Sequence, residues 1–258
     1  MCDSMGVLVN GCRSLEPGAA DAIVAGLCNP PGRPPLYCVG PLIKHDEETS
    51  KRHECLAWLD GQPEASVVFL CFGSMGRFSA EQVKEIASGL ETSGQRADRR
   101  PTGTTTATST ELFPEGFLQR TKDRGLVVMS WAPQRQVLAH EAVGGFVKHC
   151  GWNSVLEAVM VGVSMLAWPL YMEQRMNWVF LVEEMQLAVP TEGYDKKMVE
   201  SDEVAAKVRW LIESDGGREL RQRTRAAMRL AEEALGDGGK SRAALVDLAR
   251  QWKSAAHS

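Results

Sequence analysis

Short apolar runs alternate with helical patterns through the middle of the chain, and this alternation constrains the fold more than any other feature of the sequence. Parallel strands need long connections between them, and helices usually supply those connections. A sheet built in this way is covered by helices on both faces. The sequence therefore predicts an α/β fold with a parallel sheet, in which the strands are 66–74, 125–130, 143–149 and 163–169 and the helices are 79–94, 132–141, 153–162 and 173–185.

One segment breaks this alternation. Ser79 and Gly94 have the properties of a cap and a stop for the 79–94 helix, after which the alternation calls for another strand. The chain continues instead with "QRADRRPTGTTTATSTE", which is rich in threonine and has no apolar alternation. Such a segment is typical of a loop or of disorder. We therefore expect a sheet strand to be altered at about 95–110, and the sheet to lack one strand beside 66–72.

The two ends of the chain differ from its middle. Near the start, "GVLVN" and "PLYCVGPL" have the character of strand ends, and a segment rich in proline and glycine separates them. A linker is expected at about 40–50, where "IKHDEETS" turns polar. The last part of the chain has three helical segments without intervening strands.

The composition narrows the class of protein. The 258 residues have a net charge of −4 with dispersed basic residues, so no nucleic acid and no membrane is expected as a partner. Seven cysteines form no CxxC pair, which favours reduced thiols and a cytoplasmic location. The first residues lack the pattern of a signal peptide, and the longest apolar stretch is too short to span a bilayer. No metal-ligand spacing is present, so no metal is expected.

Polar clusters follow four of the predicted strands at the point where each strand ends. They are "FGSMG", "SWAPQ", "HCGWNS" and "PLYMEQ". Because ligands of open parallel sheets bind beyond the carboxyl ends of the strands, these clusters are expected to form one site.

The cluster "HCGWNS" joins a strand to a helix through a glycine turn. A helix N-terminus presents free N–H groups, so phosphate could bind there with His149, Asn153 and Ser154 as further donors. The alternative is a simple helix start, in which Ser154 and Glu157 form a capping box.

Alternatives are also open for the other polar clusters. Trp131 could stack on a base or lie in the core. Glu157 could accept hydrogen bonds from ribose hydroxyls. Glu173 and Gln174 could bind sugar hydroxyls, or could serve only as the polar first turn of a helix.

The stretch from Trp131 to Gln174 resembles the 44-residue signature box of the plant family 1 UDP-glycosyltransferases along its whole length. Flanking segments such as "CLAWLDGQPEASVVFLCFGS" and "NWVFLVEEMQLAV" resemble the family as well. The resemblance covers nearly the whole chain, and is closest to members that glucosylate flavonoids and other phenolics.

This resemblance implies a GT-B fold and glucose transfer from UDP-glucose, with inversion, to a hydroxyl of a small phenolic acceptor. It implies that 1–45 is a remnant of the acceptor domain with the linker, 46–235 the Rossmann-like nucleotide-sugar-binding domain and 236–258 a C-terminal helix. The implied contacts are Trp131 and Ala132 to uracil, Gln134 and Glu157 to ribose, Ser74, His149, Asn153 and Ser154 to the diphosphate, and Trp152, Glu173 and Gln174 to the sugar.

The sequence also departs from the family pattern. The family's N-terminal half holds the acceptor pocket and a catalytic histidine, and no histidine of this chain matches that base. We therefore expect no catalytic residue in this chain, which would be the donor-binding half of a truncated enzyme. The alternative is an inactive protein that binds only UDP-sugar, or a partner through an exposed inter-domain face. Lys148 stands where the family usually has a small polar residue, and its ammonium could face the diphosphate or point away.

Overall fold

The computed structural model describes residues 6–27, 35–44, 52–73, 76–99, 112–128 and 131–255. The chain divides into two compact units. One consists of Met1–Lys44 together with Arg225–Ser258, and the other of His45–Thr224.

The described strands and helices follow the predicted alternation. The strands are β1 (Val7–Val9), β2 (Leu36–Cys38), β3 (Val67–Cys71), β4 (Arg96–Arg99), β5 (Gly125–Val127), β6 (Val143–Lys148), β7 (Met165–Ala167) and β8 (Ala188–Pro190). The helices are α1 (Pro17–Ala25), α2 (Glu54–Leu59), α3 (Ala80–Ser93), α4 (Phe117–Thr121), α5 (Gln134–Leu138), α6 (Trp152–Met160), α7 (Gln174–Val179), α8 (Ser201–Glu213), α9 (Asp215–Leu235) and α10 (Lys240–Ala255), and a π-helical turn (Phe180–Glu184) continues α7.

The smaller unit is built around a two-stranded parallel sheet of β1 and β2. Tyr37 of β2 packs with Val39 and Leu248 in a small apolar cluster. The Tyr37 hydroxyl also donates a hydrogen bond to Gln251 Oε1 at 2.6 Å, which ties α10 to β2. The two predicted strand ends near the start of the chain are therefore paired with each other.

The larger unit contains a six-stranded sheet in the order β5-β4-β3-β6-β7-β8, with all neighbours parallel. This order is that of a doubly wound fold, in which the chain first builds outward on one side of β3 and then on the other. The predicted parallel α/β architecture is confirmed. The edge strand β8 was not predicted, because three residues that end in a proline carry little strand signal.

The centre of this sheet is apolar on both faces. Every residue of β3 and of β6 is buried, as expected for a strand covered by helices on both sides. Phe72, Phe78 and Trp168 meet edge-on or tilted just beyond the carboxyl ends of β3 and β7, with ring centroids 4.7 to 5.7 Å apart. The contacts among these three rings stabilise the edge of the sheet at which the polar clusters lie.

Helix α3 begins and ends as the sequence predicts. Ser79 is its N-cap, and Ser79 Oγ accepts a hydrogen bond from the Gln82 amide at 3.2 Å. Gly94 ends the helix in the left-handed conformation, with φ of 74°, which glycine adopts without strain.

The strand expected to be missing after α3 is present, so that prediction is wrong. The residues "RADR" form β4, which pairs in register with β3 on one side and with β5 on the other. A parallel ladder is held by backbone groups, so polar side chains do not prevent it from forming. The expected alteration is confirmed in its side chains, because Asp98 lies fully buried where a central strand normally has an apolar residue. The rest of the threonine-rich segment, 100–111, lies outside the described residues.

Burial raises the pKa of Asp98 from 3.8 to about 7. No donor among the described residues lies within hydrogen-bond distance of either carboxylate oxygen. A buried carboxylate without a partner disfavours its charged form and therefore lowers the stability of the fold.

Within the described part of the chain, no helix is both long enough and apolar enough to cross a membrane. The described cysteines, which are Cys12, Cys38, Cys55, Cys71 and Cys150, are free thiols.

Candidate functional site

The centre of the site is the point where the strand order of the large sheet reverses. β3 and β6 are neighbours there, and the chain leaves them in opposite directions along the sheet. Ligands of doubly wound folds bind in the crevice outside the carboxyl ends of such a strand pair. Gly73 follows β3 and His149 follows β6, so these two residues meet at this crevice. Ser74, a predicted diphosphate ligand, lies outside the described residues.

The imidazole of His149 lies between two glycine backbones. A Cβ atom on Gly73 would stand 2.8 Å from Nε2 of the ring, and a Cβ atom on Gly151 would overlap the same nitrogen. Gly73 also has φ of 77°, which favours glycine. The two glycines therefore make room for the histidine, and neither position tolerates a side chain while the ring stays in place.

Burial, and then the nearby Lys148, lower the pKa of His149 from 6.5 to about 4. The carboxylate of Glu173 opposes this shift. Glu173, a predicted sugar ligand, therefore acts electrostatically on His149, a predicted diphosphate ligand. The ring is neutral at physiological pH, and so offers one N–H donor without a charge.

Helix α6 begins directly after this histidine. Gly151 is its N-cap, and Trp152, Asn153 and Ser154 occupy its first turn. The first N–H groups of a helix have no intrahelical acceptor, and they carry the positive end of the helix dipole. Since Asn153 is exposed and Ser154 half-buried, the turn can present backbone and side-chain donors to one anion.

Ser154 and Glu157 do not form the capping box that one interpretation of the sequence allowed. The helix begins at Gly151, three residues earlier, and has no side-chain cap. Gln134, at the start of α5, instead donates from Nε2 to Ser154 Oγ at 3.0 Å and to Glu157 Oε2 at 2.6 Å. A side chain from a separate segment therefore joins the two residues in one polar network, with the Glu157 carboxylate as an acceptor for hydroxyl groups.

Trp131 is exposed and is not a core residue. Its side chain is 57% exposed, and the His53 ring meets it edge-on with centroids 6.2 Å apart. Ala132, the next residue, is buried. An indole held from the side with an open face is suited to stacking on a planar ring.

Glu173 and Gln174 have different surroundings at the start of α7. Glu173 is exposed, while Gln174 is buried. Gln174 Oε1 accepts hydrogen bonds from the amides of Leu170 at 2.8 Å and Tyr171 at 3.1 Å. The Gln174 oxygen thus fixes the loop after β7, and a sugar hydroxyl could bind only to its NH2 group.

Lys148 is the residue of this site whose position the sequence left open. It is fully buried, and Nζ donates to the Gly151 carbonyl at 3.2 Å. Burial is the largest cause that lowers its pKa from 10.5 to about 7. A lysine directly before the histidine was the available signal, but the sequence did not show which way it points.

The other two described histidines are held by neighbouring groups, and one of them, His53, is the residue whose ring meets Trp131. His140 precedes β6, at the edge of the sheet opposite the site, where Nε2 contacts Asp60 at 3.2 Å and Nδ1 accepts from the Ala142 amide. His53 Nδ1 contacts Cys55 Sγ at 3.0 Å. Among the described residues, no group of three or more His, Cys, Asp or Glu side chains could hold a metal ion.

A doubly wound sheet with a helix start at its switch point, an exposed indole and a network of polar side chains is typical of a nucleotide-binding protein. Comparison with known families is more specific. Residues 37–217 match the family described as UDP-glucoronosyl and UDP-glucosyl transferase, and the chain belongs to this family.

Individual relatives agree with this assignment. The chain is 50% identical over 266 residues to phloretin 2'-O-glucosyltransferase of Pyrus communis, with 95% of this chain and 55% of the relative covered. It is 49% identical over 261 residues to anthocyanidin 5,3-O-glucosyltransferase of a Rosa hybrid cultivar, with 98% and 55% covered. The chain thus spans about half the length of these relatives.

A solved structure with the same fold is Phytolacca americana UGT2 complexed with UDP-2fluoro-glucose and pterostilbene. It has a TM-score of 0.85 and 40% sequence identity, and the alignment covers 96% of this chain and 53% of that one. The predicted fold, a GT-B type Rossmann-like domain, is confirmed.

Proposed function

We propose that the chain binds UDP-glucose at the carboxyl ends of β3 and β6, as the donor-binding part of a glucosyltransferase. The observation that carries this proposal is the network in which Gln134 joins Ser154 to Glu157 on α6, the helix that follows His149. It sets an acceptor for two ribose hydroxyls beside an anion-binding helix start. A nucleotide sugar has this order of groups along its length.

The remaining contacts follow from the same order. The open face of Trp131 would stack on uracil, and the backbone of Ala132 would read the edge of the base. Gln134 and Glu157 would bind the ribose. His149, Asn153 and Ser154 would bind the diphosphate, and Ser74 is proposed to join them.

At the far end, Trp152, Glu173 and Gln174 would bind the glucose. Glu173 is exposed and can accept hydrogen bonds from hydroxyls. The fixed position of Gln174 leaves its NH2 group with N–H donors of defined direction, and this supports a preference for one sugar over its epimers. We propose glucose, and the proposal invokes no metal and no further cofactor.

The acceptor is proposed to be a small phenolic. Relatives are named for phloretin and an anthocyanidin, and the related solved structure holds pterostilbene. Inverting transfer needs a base that deprotonates the acceptor hydroxyl. We propose that the base lies outside this chain, since, of the described histidines, His53 and His140 are held by neighbouring groups and His149 is assigned to the diphosphate. The free thiols support a cytoplasmic location for this reaction.

Calorimetric titration with UDP-glucose tests the proposal. We expect saturable binding by the chain and a loss of about five- to 150-fold in affinity in Trp131→Ala, since stacking on an aromatic ring contributes about 1–3 kcal/mol per base. Trp252→Ala is the matched control, because Trp252 is also about half exposed, at 52%, and lies on α10. Absence of saturable binding by the folded chain, or equal losses in both variants, would refute the proposed site.

A further inference from the structure

Lys148 is the one charged group at the donor site to which the proposed function gives no role. It is the last residue of β6, and its side chain is fully buried. Lysine is almost never fully buried without a partner. A buried ammonium directly before the diphosphate-binding turn therefore requires a physical explanation.

The ammonium of Lys148 contacts the turn from which α6 begins. Nζ donates to the carbonyl of Gly151, the N-cap residue, at 3.2 Å. The same carbonyl accepts the first intrahelical hydrogen bond, from the Val155 amide at 3.1 Å. Nζ also lies 5.8 Å from the centroid of the Phe146 ring. The lysine therefore holds the turn through the carbonyl of its N-cap residue.

The groups around the ammonium have opposing effects on its charge. Cys71 on β3, Cys150 after β6 and Glu157 on α6 favour the charged form, while His149 is the other titratable neighbour. Burial outweighs them and lowers the pKa of Lys148 to about 7. A lysine with this pKa is only partly charged at neutral pH. Negative charge bound at the start of α6 would favour the charged form again.

We propose that Lys148 is a positioning residue for the diphosphate-binding turn 149–151. The lysine holds this turn through the Gly151 carbonyl and takes up a proton when the donor binds. This inference rests on the proposed function, because it takes the ligand to be the diphosphate of a nucleotide sugar. It adds a pH dependence that a small polar residue at this position would not produce. Donor affinity falls as the pH rises above neutrality, because binding must then recharge the lysine.

The test is calorimetric titration of the whole chain with UDP-glucose between about pH 6 and about pH 8.5, in buffers of different ionisation enthalpy. UDP-glucose is chosen because both of its phosphates stay fully ionised in this range. For the wild type we expect proton uptake on binding near pH 8. We also expect the affinity to fall between the lowest and the highest pH, by about tenfold for each unit by which the bound ligand raises the pKa of Lys148.

Lys148→Met should bind without proton uptake and with an affinity that hardly changes with pH. Lys148→Arg, which keeps its charge, should also lose the uptake and bind more tightly than Lys148→Met at about pH 8. Lys207→Met is the matched control, since Lys207 on α8 is a partly buried lysine outside the site and contacts Glu192 and Glu203. It should behave as the wild type.

Binding by the wild type without proton uptake would overturn the inference and leave the proposed function standing. Equal proton uptake in Lys148→Met and the wild type would do the same. Failure of the folded wild type to bind UDP-glucose at any pH would overturn the proposed function, and this inference with it. Circular dichroism of each variant confirms that the comparison is made on folded protein.

Discussion

Replacement of Asp98 should stabilise the protein, although it removes a group from the centre of the sheet. Asp98 faces neither a donor nor a cation among the described residues, and the burial of its carboxylate is complete. In Asp98→Asn the charge is lost at nearly constant volume. In Asp98→Val the charge is replaced by a β-branched apolar side chain, which central strands favour.

The magnitude follows from the pKa of the carboxyl, which is raised from 3.8 to about 7 in the folded state. One pKa unit corresponds to 1.36 kcal/mol, so a shift of about three units destabilises the fold by about 4 kcal/mol wherever the group is ionised. As the pH rises, the Asp98 carboxyl loses its proton in the unfolded state before it does so in the folded state. The stabilising protonated form is therefore fully present below about pH 4, and the free energy of unfolding falls as the pH rises from about 4 to about 7.

Urea unfolding, followed by circular dichroism at about pH 5 and about pH 8, measures this effect. From the lower to the higher pH, wild type should lose about 3 kcal/mol more than Asp98→Asn, because the folded carboxyl keeps its proton up to about pH 7 while the unfolded one has already lost it. Asp98→Val should exceed wild type by about 4 kcal/mol at the higher pH. Asp195→Asn, at an exposed position, should reproduce the wild-type pH dependence. If wild type and Asp98→Asn lost the same stability over this interval, the assignment of a buried, unpaired carboxylate to β4 would be wrong.

Three further predictions concern the site. The pKa of His149 is lowered from 6.5 to about 4, so its contribution to stability is present above about pH 6.5 and is lost as the pH falls to about 4. In acid unfolding, wild type should therefore lose about 3 kcal/mol over this interval that His149→Gln does not lose. Equal acid profiles of the two proteins would contradict the burial of the ring. Gly151→Ala should weaken UDP-glucose binding about tenfold or more in calorimetry, since the alanine Cβ would displace the His149 imidazole. Wild-type affinity in this variant would show that the imidazole does not need its observed position. The purified chain should glucosylate a panel of flavonols at a negligible rate in a chromatographic assay, and robust transfer would refute the proposal that the base lies outside this chain.

Most of the fold could be predicted from local patterns. The apolar runs of β3 and β6 and the caps at Ser79 and Gly94 depend only on neighbouring residues, and they lie where they were expected. β4 was not expected, because its position depends on backbone pairing with strands on either side and "RADR" carries no apolar signal. β8 was missed for the related reason that an edge strand of three residues is determined by its neighbour.

The candidate site was predictable in composition but not in detail. The order of polar clusters along the chain indicated which residues converge. Gln134, however, reaches Ser154 and Glu157 across 20 and 23 positions of sequence, and this contact displaces a capping box that the local sequence favoured. The direction of the Lys148 side chain depends on its contact with the carbonyl of Gly151, which no sequence pattern reports.

A crystal structure of the chain grown with UDP-glucose tests the central claim most directly. The account predicts that uracil stacks on Trp131, that the ribose hydroxyls contact Glu157, and that the diphosphate lies at the first turn of α6 beside His149. A nucleotide sugar bound elsewhere on the chain, or bound at this crevice with its diphosphate away from α6, would contradict the account.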